Sequence, residues 1–143
     1  MIRQPLTHTA VILGSFVFTL LVLALPAPSA YGAAIQMEIF FLPHPPALAV
    51  VNKVEKVAAE FKNIDLKKYN FDDPGIKKLI KKYDLAGHMP VAIYINGQNR
   101  FTVKGQKMAL RNFPKGDAFV PTFAGEWDYD DLRTILQGLS GGK

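Results

Sequence analysis

Two histidines and a methionine, His44, His88 and Met89, are the side chains of this 143-residue chain best suited to holding a soft metal. Neutral imidazole and thioether fit copper or haem iron, and imidazole is largely uncharged at pH 7 because its ordinary pKa is ~6.5. Two readings stand side by side. In one, His44, His88 and Met89 converge and handle copper or haem. In the other, His44 caps a helix or faces solvent, Met89 packs, and no cofactor is bound. Neither histidine has a carboxylate partner or a recognised ligand spacing in the sequence. As a general base, His44 lacks an adjacent nucleophile or an oriented acid, so an enzyme is not expected. The chain contains no cysteine, which excludes disulfides, thiolate metal sites, cysteine nucleophiles and dithiol redox chemistry.

The elements that would position these residues come after a leader-like segment. Residues 1–9 carry one basic side chain, Arg3, and residues 10–25 form an uncharged stretch rich in Val, Ile, Leu and Phe. That is the order of a secretory signal peptide. Small residues then allow cleavage after Gly32 or Ala34, so that residues 1–32 are removed and one domain spans 35–140. The competing reading is an uncleaved anchor, although 16 positions fall short of the ~20 needed to span the hydrocarbon core. The expected location is periplasmic or extracellular, with no stable membrane span after cleavage. Hydrophobic residues at 49% and charged residues at 20% describe a globular chain, and the net charge of +5 is mildly basic.

Residues 35–42 read as a buried strand ended by Pro43. His44-Pro45-Pro46 then opens a helix, since proline is tolerated in a first turn. Leu48, Val51, Val54, Ala58 and Phe61 recur at spacings of three and four and predict one apolar face. Residues 64–69 are a weaker strand. Asp73-Pro74 supplies a cap and a first-turn proline for a second helix, with Ile76, Leu79, Ile80 and Tyr83 facing inward. Its other face carries Lys77, Lys78, Lys81 and Lys82, either a solvated surface or a docking face for an acidic partner or anionic lipid. Residues 91–95 form an apolar strand ending in the hairpin signal Asn96-Gly97, with residues 100–104 as the return strand and a further strand after Gly105. Asp128 caps a last helix with Leu132, Ile135, Leu136 and Leu139 on its core face. The crossover makes the first two strands parallel. The expected fold is α/β: a mixed four- to five-stranded sheet with helices on both faces.

Over essentially the whole mature chain these residues resemble the thioredoxin-like superfamily. The resemblance rests on the strand running into His44-Pro45-Pro46-Ala47 and a helix, on Asp73-Pro74 opening a second helix, and on His88-Met89-Pro90 before the segment VAIYING. It implies that His-Pro-Pro-Ala stands where the family has Cys-x-x-Cys, and that the Met89-Pro90 bond is cis. Thiol-disulfide exchange needs a thiolate, so the implied protein is redox-inactive. A peptide-binding surface formed by His44, Pro45, His88, Met89 and Pro90 survives in this reading, because backbone pairing with an extended segment needs no cysteine. Glu38 stands where the family often keeps a buried acid. Here it is either a partly buried carboxylate or a strand-end side chain reaching water.

Residues 105–127 depart from the family as an insertion holding Phe113, Phe119, Phe123 and Trp127. The insertion either packs on the domain's own core or binds a peptide, a haem edge or a partner protein through Phe119, Phe123 and Trp127. The function expected from the sequence is a binding or assembly module, chaperone-like, for extended peptides or exported proteins and not for nucleic acid.

Overall fold

Alternation in the first strand sets the layers. The computed structural model describes residues 33–85 and 89–141. In β1 (Ile35–Phe41), Ile35, Met37 and Ile39 are buried in one core while Phe40 is buried in another on the opposite face. Successive strand residues point to opposite faces, so this sheet is covered on both sides. α1 (Pro45–Ala58) supplies Val50, Val51, Val54 and Val57 to the first core, and α3 (Tyr129–Ser140) supplies Leu132, Ile135 and Leu136. Leu48 and Leu139, expected in the core, are instead 39% and 44% exposed. The apolar stripe of α1 is carried by its valines, which leaves Leu48 on the far side of the helix.

β2 (Ile64–Asn70) pairs parallel with β1, and β3 (Val91–Ile95) pairs antiparallel with β1 on its other side, giving the order β2-β1-β3. The second core lies on the face that carries Phe40. Around Phe40 stand Tyr69, Phe71, Tyr83 and Tyr94, with ring centroids 5.0 to 6.2 Å from it. Ile76 and Tyr83, from the segment around α2 (Lys77–Lys82), close this core. Helices on both faces are therefore present. The helix expected from residue 74 begins as a 3-10 turn, Pro74–Ile76, before continuing as α2. Its start is as the sequence indicates, with Asp73 accepting from the Gly75 N–H at 2.7 Å.

The single four- to five-stranded sheet is not what forms. The structure has a mixed three-stranded sheet and a separate two-stranded one, β4 (Arg100–Val103) with β5 (Gln106–Ala109). Asn96 and Gly97 do turn with positive φ, as a two-residue hairpin loop requires. After one bridge, Ile95 to Gln98, the chain leaves β3. The place beside β3 is taken by residues 110–112: Ile93 N donates to Leu110 O at 2.9 Å and Asn112 N to Val91 O at 2.8 Å. β3 is buried along its whole length, so a neighbour that brings an apolar side chain to the first core is favoured. Leu110 is fully buried there, whereas Arg100 and Thr102 of β4 are exposed. A second tight turn at Lys104-Gly105, both with positive φ, lets β4 pair with β5.

The leader-like residues 1–32 and His88 lie outside the described residues. Among the described residues no helix is long and apolar enough to cross a membrane.

Candidate functional site

The start of α1 is dictated by its prolines. His44 is the residue before the helix, extended at φ −123° and ψ 155°, and its side chain makes no capping hydrogen bond. Pro45 is exposed in the first turn, and Ala47 is buried beneath it. The chain before Val91 runs beside this helix start, because Leu42 N donates to Pro90 O at 3.0 Å. Pro90 is buried and Met89 is half-buried against the second core.

No peptide bond among the described residues is cis, and Met89 and Pro90 are among them. The cis bond implied by the resemblance is thus absent. Pro90 has no N–H to offer, and its carbonyl is already engaged by Leu42, so this loop presents no free strand edge at Pro90. His44 and Met89 are both half-buried. With His88 outside the described residues, the copper or haem set is not assembled from them. Among the described residues no group of three His, Asp or Glu side chains gathers as a metal site.

The insertion divides its aromatics between core and surface. Trp127 is fully buried, with its Nε1 donating to the Arg111 carbonyl at 3.0 Å and its ring edge-on to Tyr129 at 5.8 Å. Phe113 is buried, and Phe123 is half-buried against the first core. Packing is therefore the reading that holds for Trp127. Phe119 is 81% exposed and is followed by Val120 at 48%. Phe119 and Ala118 form one wall of a groove of about 240 Å³ whose other wall is Pro46, Ala49 and Val50 of α1.

Asp117 fixes this loop. Its Oδ2 accepts from Lys53 Nζ of α1 at 2.9 Å and from the Tyr129 hydroxyl of α3 at 2.7 Å. Lys53 Nζ also lies 5.3 Å from the centre of the Tyr129 ring. Burial pushes the Asp117 carboxyl up, but the Tyr129 hydroxyl and Lys53 more than offset it and hold the group below its ordinary pKa. Burial and the neighbouring Asp117 carboxylate drive the Tyr129 phenol well above its ordinary value. At pH 7 this is a carboxylate held by an ammonium and a neutral phenol. A second groove, of about 460 Å³, continues between α1 and α3 past Lys53, Val57, Tyr129 and Arg133. Arg133 is occupied by Glu60 and Asp130 at 2.8 to 3.1 Å.

Glu38 follows the first of its two readings, a partly buried carboxylate, here with a side-chain partner. Its half-buried carboxylate accepts a short hydrogen bond from the Tyr83 hydroxyl, which also accepts from Lys82 Nζ at 2.9 Å. Burial, followed by the bond to Glu38, raises the Tyr83 phenol. Lys77, Lys78 and Lys81 are exposed beside it.

Comparison with protein-family models, with curated proteins and with solved structures finds no match to this chain. Its function rests on its own geometry. Sequence reasoning found Phe119 but missed Lys53, Asp117 and Tyr129, which hold the Phe119 loop against α1. Lys53 and Asp117 stand 64 residues apart, and no local pattern couples them.

Proposed function

We propose that this chain is a redox-inactive, thioredoxin-like binding module, exported to the periplasm or cell exterior, that holds extended peptide segments of other exported proteins. The observation that carries this reading is Phe119, exposed at 81% on the rim of an apolar groove whose backbone is pinned by Asp117. Leaving such a ring in water costs free energy that burial against a partner recovers. A loop anchored at Asp117 also loses less freedom on binding than a free one would. The parallel β1-α1-β2 unit followed by antiparallel β3 supports the scaffold part of the reading. The trans Met89-Pro90 bond moves the proposed peptide site away from Pro90 to the groove between α1 and residues 116–119. The leader-like residues 1–32 support export.

Fluorescence anisotropy with labelled extended peptides bearing alternating apolar residues tests the site. We expect binding that Phe119→Ser weakens at least about tenfold, equivalent to ~1.4 kcal/mol, with little change in melting temperature because the side chain is already exposed. Absence of binding across the peptide set, or equal binding by Phe119→Ser, would remove the proposal. The protein should also be inert in insulin reduction without added thiol. Turnover by pure protein under those conditions would contradict the redox-inactive assignment.

A further inference from the structure

β2 is an edge strand, and its outer edge carries a self-complementary pattern. Ile35 N donates to Asn63 O at 2.8 Å and Phe71 N to Phe41 O at 3.0 Å. In a parallel ladder alternate residues bond to the same neighbour. Odd-numbered residues from 63 to 71 therefore turn their backbone groups toward β1. Ile64, Leu66 and Lys68 turn theirs outward, and among the described residues nothing bonds to those outward N–H and C=O groups. A row of this kind is a template for another strand.

Lysines on an edge ordinarily repel a second strand. Here Lys67 is two residues from Asp65, on the same face of the strand, and the two side chains meet at 3.6 Å. Antiparallel pairing of two copies requires outward-facing residues to sit opposite outward-facing residues. With Leu66 opposite Leu66, the hydrogen-bonded pairs are Leu66 with itself and Ile64 with Lys68. The intervening closely spaced pairs set Asp65 against Lys67 twice. Moving the axis one residue in one direction sets Asp65 against Asp65, and in the other direction sets Lys67 against Lys67. Like charges directly opposite are destabilising, so charge selects one register.

We propose that β2 is a homodimerisation edge: two copies of this chain pair antiparallel through Ile64 to Lys68, with Leu66 on the two-fold axis, and join their three-stranded sheets into one of six strands. This contact is isologous, as a two-fold dimer requires. Lys68 keeps its 2.7 Å ion pair with Glu55 on the α1 side of the sheet. The partner is a second copy rather than a foreign strand, because the Asp65-x-Lys67 spacing complements itself. The contact is independent of the Phe119 groove. A short strand-to-strand interface buries little area and belongs to the weak class of association.

Sedimentation equilibrium on the purified protein from about 5 to about 500 µM tests this, spanning the range of a weak dimer. We expect the mass to rise from monomer toward dimer. Asp65→Lys and Lys67→Asp, each placing like charges opposite one another at both pairs, should weaken the dimer about tenfold or more. The double variant Asp65→Lys with Lys67→Asp reverses both charges together and should restore it. Leu66→Pro removes an outward N–H without touching a bond to β1, and should remain folded by circular dichroism yet monomeric. A monomer at every concentration overturns the proposal. So does association that the single charge variants leave unchanged, which would locate the contact elsewhere in the chain, and so does a double variant that fails to recover.

Discussion

Trp127→Ala is expected to destabilise the domain by ~3 to 5 kcal/mol, the range for truncating a buried large aromatic. The indole is fully buried in the first core, and its Nε1 is the donor that satisfies the Arg111 carbonyl. Truncation leaves a cavity and an unpaired backbone acceptor at the same place. Its own carbonyl accepts from Lys115 N at 2.8 Å, so the loss loosens the start of the loop that carries Asp117 and Phe119. Small domains have total stabilities of ~5 to 15 kcal/mol, which makes this a large fraction. The melting temperature should fall by roughly 15 °C or more. Urea unfolding followed by circular dichroism measures the change, since Trp127 is the only tryptophan and its fluorescence is lost with it. Trp127→Phe, which keeps most of the ring but not the donor, should fall between wild type and Trp127→Ala. A loss below ~1 kcal/mol for Trp127→Ala would show that the insertion does not rely on this anchor.

The split between Trp127 and Phe119 shows where sequence reasoning ends. Four aromatics within the insertion say that apolar area must be covered, but composition does not assign each ring to core or surface. That assignment is made by partners distant in sequence: Arg111 for Trp127, and Lys53 and Tyr129 for the loop holding Phe119. Signals confined to a few residues were legible. Asp73 and Asp128 cap as their types indicate, the latter in a capping box with Asp131. The prolines at 45 and 46 open α1, and Asn96-Gly97 turns the chain.

The strand pairing beyond Asn96-Gly97 was not legible, because two consecutive tight turns offer competing partners. The sequence of 100–103 alternates acceptably beside either β3 or β5. Competition for the buried edge of β3 decides between them, and Leu110, with Asn112, wins it. A local hairpin signal fixes the turn and its first pair, not the neighbour of every residue beyond. The parallel β1-β2 pairing was legible for a different reason. A helical crossover leaves few ways to return to the same sheet.

Gly125→Ala should cost about 3 kcal/mol, near the upper end for overpacking a tight site, although the change adds only a methyl group. A Cβ at residue 125 would stand 2.4 Å from the Arg111 carbonyl oxygen and 2.8 Å from that of Phe113, with Trp127 Cδ1 at 3.0 Å. Two of these neighbours are backbone and have no rotamer with which to yield. Gly125 N also donates to Phe113 O at 2.7 Å, so the segment moves away only by giving up that bond. The displaced strap carries Trp127 with it and pulls Nε1 from the Arg111 carbonyl, coupling this loss to the packing of the indole. Because both substitutions act through the same carbonyl, their effects should not add, and a double variant should be more stable than the sum predicts. Gly138→Ala is the internal control. It adds the same methyl group within α3 where nothing lies within 4 Å, and should stabilise by up to ~1 kcal/mol through helix propensity. Opposite signs from one chemical change would locate the Gly125 effect in the close approach to Arg111 and Phe113. A neutral Gly125→Ala would mean that the strap yields freely and does not hold the Phe119 loop in place.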